Sequence, residues 1–210
     1  MSDYNRYLKQ ETARLKEENE GLLYEVEKLR GYLDAIDTLL EAFTDLDADA
    51  EIMPLLDRLL HNALRVINAN DGSLLVLDED TSELVFVIAH GDIDPELIVG
   101  RRIPAERGIA GWVVQNRAPT VVQNTQVDDR FYGHLDQELG FHTHSIIAAP
   151  IIGAGRVLGV IEALNKRGDD HFDEADRTLL LLLCRFAGEV LNRLVTDGKS
   201  AEAVPPTSAE

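Results

Sequence analysis

Positive charge is scarce in this chain: 20 lysines and arginines stand against 38 aspartates and glutamates, a formal charge of −18 over 210 residues. So acidic a chain repels phosphate backbones and anionic lipid, which argues against a nucleic-acid or membrane partner. Cysteine is nearly missing. Cys184 alone leaves no intramolecular disulfide, no multi-cysteine zinc site and no CxxC redox pair, and it suits a reducing compartment. Long apolar runs are lacking too: no stretch reaches the ~18 residues of a membrane span, and the start of the chain has no apolar export segment. A cytoplasmic location is expected. Gly153, Gly155 and Gly159 miss the GxGxxG spacing and precede a strand, so they mark a hairpin rather than a dinucleotide site. No nucleophile with a paired base stands out, so the chain is not expected to be an enzyme. What is present, 45% hydrophobic residues, suffices for the core of one ordinary domain with a helix attached.

Leu8, Leu15, Leu22, Leu29 and Ile36 recur every seventh residue and predict one long helix over 4–43. With these at d, the a positions hold Asn5, Thr12, Asn19, Val26, Leu33 and Leu40, and Phe43 continues the d row. Glu11 and Glu25 then face Lys16 and Arg30 of a parallel twin, and Asn19 at a is best satisfied by its own copy. The expectation is a parallel coiled-coil homodimer over 1–46. A single amphipathic helix lying on its own domain is the alternative. Gly21 and Gly31 weaken the helix but fall outside the seam.

The heptad register fails in DLDADAE. Asp45, Asp47 and Asp49 imitate an EF-hand loop, but Ala50 and Leu56 stand where that loop needs glycine and glutamate, which excludes calcium there. Ile52, Leu55, Leu56, Leu59, Leu60, Ala63, Leu64 and Ile67 form a helical stripe, and Asn70-Asp71-Gly72 is expected to end it in a turn. Strands are predicted at 73–77 and 84–89 as a hairpin, at 119–122, and at 145–152 with 157–164 as a second hairpin. Between them, Gly108 to Val114 reads as a short helix and 124–142 as polar and turn-rich. A last helix is expected over 173–194, then a disordered tail over 196–210. The order predicts an α+β domain, an antiparallel sheet with helices packed on it. Cys184, directly after five leucines, is expected in the core.

Arg107-Gly108-Ile109-Ala110-Gly111-Trp112-Val113, Asp129-Arg130-Phe131-Tyr132, Gly140-Phe141 and the 150–164 hairpin together resemble a GAF domain over about 50–195. The ending Asn165-Lys166, Phe172 and Asp176 resembles the NKFDE signature of phosphodiesterase- and adenylyl cyclase-type GAF domains, with Arg177 in place of the final glutamate. The resemblance implies a six-stranded antiparallel sheet with helices on both sides, a ligand cavity under the irregular middle, and an internal salt bridge between Lys166 and Asp176.

It also implies a ligand, cyclic AMP or cyclic GMP, at Ser73, His90, Ile109, Ala110, Tyr132, Thr143 and Glu162. His90, Leu139 and His142 stand where relatives carry aspartate, threonine and arginine. From the residues themselves, the Gly108 to Gly111 turn offers free N–H groups at a helix start for a phosphate. Strand alternation puts Glu162 on one face with Leu158, Val160 and Leu164, a carboxylate in an apolar row that needs a ligand donor or an internal cation. His142 and His144 share a side of an extended segment, but two histidines without a third ligand make no metal site. The expected function is a dimeric sensory module with no resident cofactor, relaying occupancy through its dimer helices to a separate effector. The alternatives are a ligand-free dimerisation platform for a signalling partner and a haem-type sensor.

Overall fold

The computed structural model describes residues 2–44, 52–92, 94–168 and 171–202. The DLDADAE stretch and the last eight residues of the expected tail lie outside them, as do the side chains of Leu40 and Phe43. Helices α1 (Ser2–Thr44) and α2 (Ile52–Ile67) lead into a hairpin of β1 (Ala69–Asp78) and β2 (Glu83–His90). A middle region carries α3 (Pro95–Ile98), β3 (Arg102–Pro104), α4 (Gly108–Asn116), β4 (Thr120–Val122), a 3₁₀ turn at Thr125–Val127 and α5 (His134–Leu139). A second hairpin, β5 (Ile146–Gly153) and β6 (Arg156–Lys166), and helix α6 (Glu174–Glu202) complete it. The six strands form one sheet in the order β3-β2-β1-β6-β5-β4, every neighbour antiparallel.

Strand alternation sends β1, β5 and β6 residues to two cores. On one face α2 and α6 cover Leu74, Ile147, Ala149, Ile151, Ile161 and Ala163. The stripe Leu55, Leu56, Leu59, Leu60, Ala63, Leu64 and Ile67 is buried there as its spacing predicts. Helix α6 comes close because residue 188 is glycine: a Cβ there would lie 2.2 Å from the Ile152 carbonyl oxygen. Cys184 is buried in this core, donates to the Ala149 carbonyl, and burial pushes its thiol pKa up. On the other face Leu75, Phe86, Ile146, Ala148 and Val160 meet Ile98 of α3 and Ile109, Ala110 and Val113 of α4.

Several local expectations are corrected. The turn after α2 comes at Asn68, whose φ of 56° ends the helix, and Asn70 to Gly72 already belong to β1. Leu158 does not share a face with Glu162: an irregularity in the β5–β6 register at Ile151/Ile152 turns it toward α6 with Ile161. The last helix continues to Glu202, past the expected end at 194 and into the segment expected to be disordered. The middle region holds short elements, α3, β3 and α5, that no hydrophobic period announces.

Helix α1 meets α2 at Gly31, where a Cβ would lie 2.8 Å from Val66 Cγ2, and Tyr32 packs onto the core there. The heptad row points elsewhere. Leu8, Leu15, Leu22, Val26, Leu29, Leu33 and Ile36 are 41–61% exposed in the single chain. Glu11 pairs with Arg14 at 2.7 Å within the chain, an exposed contact of little energetic weight. Among the described residues no helix is long and apolar enough to cross a membrane.

Candidate functional site

Between the α3–α5 side of the sheet and the middle region lies a cavity of about 320 Å³. Phe86, Ile146 and Leu164 give it an apolar floor, and Ile109, Phe131, Tyr132, Leu135 and Leu139 close over it. All seven residues singled out from the sequence, Ser73, His90, Ile109, Ala110, Tyr132, Thr143 and Glu162, line this cavity. They arrive from β1, β2, α4, β6 and the segments flanking α5.

Glu162 and Ser73 are cross-strand partners on β6 and β1, so the register alone puts them side by side on the cavity floor. Glu162 is 9% exposed, and its one hydrogen bond among the described residues comes from Ser73 Oγ to Oε2 at 3.4 Å. Burial pushes its pKa up to about 7; the Ser73 hydroxyl opposes this, and the negative charge of Asp136 adds to it. The carboxyl is thus half protonated near neutrality, able to donate or to accept.

Thr143 is buried with both of its donors committed: its N–H reaches Asp136 Oδ2 at 2.8 Å and its hydroxyl reaches Asp136 Oδ1 at 2.9 Å. Its carbonyl accepts from Thr125 Oγ1. His90 reaches the cavity wall from the end of β2, but its Nε2 lies 3.0 Å from Asp57 Oδ1 on α2 and its ring stands edge-on to His61 at 5.3 Å. At α4 the first intrahelical bond runs from Gly111 N–H to the Arg107 carbonyl, so the N–H groups of Gly108, Ile109 and Ala110 precede the ladder. Gly108 has φ 73°, which glycine alone adopts without strain, and Tyr132 Cβ would lie 3.4 Å from any Cβ there. Arg107 sits beside this turn with its guanidinium 5.6 Å from the Tyr132 ring centroid. His142 and His144 are exposed, their rings edge-to-face at 4.5 Å in a segment outside any strand. Among the described residues no three ligating side chains gather for a metal.

The Asn165, Lys166, Phe172 and Asp176 group is interior. Lys166 Nζ bonds Asp176 Oδ2 at 2.6 Å and the Ile67 carbonyl at 2.6 Å, with side-chain exposures of 3% and 0% for the two ions. Buried Phe172 lies under the ammonium at 5.5 Å. The pair thus fastens the end of α2 to the start of α6. Asn165 adopts φ 56° at the end of β6 and aims its amide the other way, donating to Asp71 Oδ2 (3.0 Å) and the His142 carbonyl (3.1 Å) and accepting from His144 N–H (2.8 Å).

Sequence reasoning missed Asp136, which holds Thr143, and Asp71, which receives Asn165 and the Asp92 N–H. Nothing in the sequence separates these two from the other acidic residues of a strongly acidic chain. Only the fold brings them to the cavity.

The comparisons with known proteins agree with this architecture. A family model described as "GAF domain" matches residues 35–192. Among curated relatives, the dual 3′,5′-cyclic-AMP and -GMP phosphodiesterase 11 of Drosophila melanogaster is 26% identical over 74% of this chain and 12% of its own length. The rod cGMP-specific 3′,5′-cyclic phosphodiesterase alpha subunit of the dog, Canis lupus familiaris, is 32% identical over 42% of this chain and 10% of its own. This chain therefore spans only about a tenth of those relatives. Among solved structures, the GAF domain of an Acinetobacter phosphoenolpyruvate-protein phosphotransferase superposes with TM-score 0.64 at 22% identity, covering 79% of this chain and 97% of that one. Its Coxiella burnetii counterpart gives 0.65 at 18%, over 82% and 98%. A six-stranded antiparallel sheet with helices on both faces, a cavity on the α4 side, and a family match spanning most of the chain lead to one assignment: the chain belongs to the GAF domain family.

Proposed function

We propose that this GAF domain is a dimeric sensory module that binds cyclic AMP or cyclic GMP in the cavity and relays occupancy through α1, α2 and α6 to a separate effector. One observation carries the reading: the cavity of about 320 Å³ pairs an apolar interior with the buried Glu162–Ser73 pair and the uncapped N–H groups of α4. The volume falls at the lower end of small-molecule sites, about 300–1,000 Å³, and the apolar floor of Phe86, Ile146 and Leu164 suits a purine, with polar groups around it to fix its orientation. The α4 N–H groups suit a singly charged phosphate. The names of the phosphodiesterase relatives favour a cyclic nucleotide over other small anions. The exposed leucine row of α1 supplies the dimer seam.

Isothermal titration calorimetry against cyclic AMP and cyclic GMP, with 5′-AMP and 5′-GMP as controls, tests the ligand. Micromolar or tighter binding of a cyclic form with its linear control silent is expected. Silence from all four overturns the cyclic-nucleotide reading and leaves a dimerisation platform whose seam is the same leucine row.

A further inference from the structure

We infer that Asp136 is the positioning residue of this cavity: it latches α5 over the site through Thr143 and, set against Glu162, makes closure require a hydrogen-bond donor or a proton at the Glu162 carboxyl. The inference rests on the cavity being the binding site, as proposed above, but not on which ligand occupies it.

Helix α5 is six residues long and buries none of them fully; Leu135 and Leu139 are its packing contacts with the core on this face. The Asp136 carboxylate adds to this packing, taking the N–H of Thr143 on one oxygen and its hydroxyl on the other. Thr143 is the fixed end of this contact. It is 3% exposed, Thr125 holds its carbonyl, and Asn165 grips the backbone of His142 and His144 on either side. Asp136 is therefore the end that moves with α5.

Glu162 lines the same cavity from β6, nine-tenths buried, with Oε1 accepting no hydrogen bond among the described residues. The arginines and histidines around the cavity have other neighbours. Arg101 pairs with Glu138 at 2.8 Å, Arg102 with Asp78 at 2.8 Å and Glu83 at 3.0 Å, and His90 lies against Asp57. Arg107 lies against the Tyr132 ring, and His134 pairs with Glu138 at 3.2 Å. Asp71, the remaining carboxylate on the floor, already accepts from Asn165 and Asp92. Asp136 is accordingly the charge that acts on Glu162, and it has the same sign. With both ionised, closing α5 sets two carboxylates against each other in an apolar space.

A ligand that presents an N–H or O–H to Glu162 Oε1 removes that repulsion and lets the latch close. A ligand that only accepts there needs the protonated carboxyl and so binds with net proton uptake above neutrality. The site therefore selects for a donor edge and couples occupancy to the position of α5.

Hydrogen–deuterium exchange of residues 134–144 in the ligand-free full chain, corrected for the intrinsic pH dependence of exchange, tests this directly. If opening returns Glu162 from about 7 to its ordinary carboxylate value of 4.5, the closing equilibrium falls about tenfold between pH 6 and pH 8 and is nearly level above. Wild-type protection should follow that curve. Glu162→Gln, neutral at every pH, should be well protected with no slope, and Thr143→Val, which loses one latch bond, should be poorly protected while keeping the slope. A flat wild-type profile, or an unchanged slope in Glu162→Gln, overturns the role of Glu162. Wild-type protection in Thr143→Val overturns the latch. No nucleotide is present, so failure of cyclic-nucleotide binding and failure of this inference give different results.

Discussion

Replacing Glu162 by glutamine should stabilise this protein, and by an amount that depends on pH in a defined way. The side chain keeps its size and its place beside Ser73 but can no longer ionise. In the folded chain burial and Asp136 hold the Glu162 pKa at about 7, against an ordinary 4.5. A raised carboxylate pKa means that the folded state binds the proton more tightly than the unfolded chain. The stability this group contributes is fully present below 4.5, declines as pH rises toward 7, and is gone above it. The gap between about 7 and 4.5, at about 1.4 kcal/mol per pH unit, comes to about 3 kcal/mol. Wild type and Glu162→Gln should therefore be nearly equal in stability at pH 4.5, and the variant should lead by about 3 kcal/mol at pH 8. For a chain of this size that lead corresponds to a rise in Tm of about 6–12 °C. Urea unfolding at one protein concentration and several pH values between 4.5 and 8 reads the difference directly, because every other titrating group is common to both proteins. A difference that stays constant across this range, or a variant less stable than wild type at pH 8, would refute the claim that burial, with the charge of Asp136 added, disfavours the ionised Glu162.

Breaking the interior ion pair from one side, as in Lys166→Met, leaves Asp176 charged and enclosed and should cost about 3–5 kcal/mol in urea unfolding; a loss under 1 kcal/mol would mean the pair is solvated. Gly188→Ala must push α6 off the Ile152 carbonyl, and should lower Tm by several degrees while leaving the helical circular dichroism intact. If the leucine row of α1 is a dimer seam as proposed, Leu15→Asn with Leu22→Asn should lower the sedimentation coefficient from a dimer's to a monomer's without unfolding the sheet; an unchanged coefficient would refute the seam.

The large elements were legible because each carries a clear signal: every fourth or third residue apolar in α2, heptads in α1, and in β2 a short apolar run set off by the turn residues of DEDTSE. The seven cavity residues could be marked in advance through the resemblance, and Glu162 also through its place in an apolar row. Leu158 escaped because a strand irregularity next to Gly159 changes its face; the glycine, read as part of the hairpin, was the available signal. Helix α5 escaped because HLDQEL is six residues long and offers a single i,i+4 pair, Leu135 and Leu139, too short a pattern to separate a helix from a polar loop. Asp136 and Thr143 are only seven residues apart, but nothing in the residues between them announces the contact, and only the folded sheet brings Glu162 of β6 to the same cavity. The stripe of α2 was read correctly to Ile67, but the turn after it was placed at Asn70 rather than Asn68 because Asn-Asp-Gly is a strong turn signal; β1 pairing with β6 as far back as Ala69 opposite Lys166 overrides it.

Asn165 and Lys166 are consecutive, yet their side chains leave β6 on opposite faces, one knitting the backbone on either side of Thr143, the other pinning α2 to α6. Two residues of one strand end thus act as a rivet through the sheet. Inserting or deleting a residue here would exchange the two faces, sending an ammonium into the cavity region and an amide into the helix core. A single-residue deletion at this point should therefore be far more damaging than one in the Glu79–Ser82 hairpin turn, where the chain crosses no face.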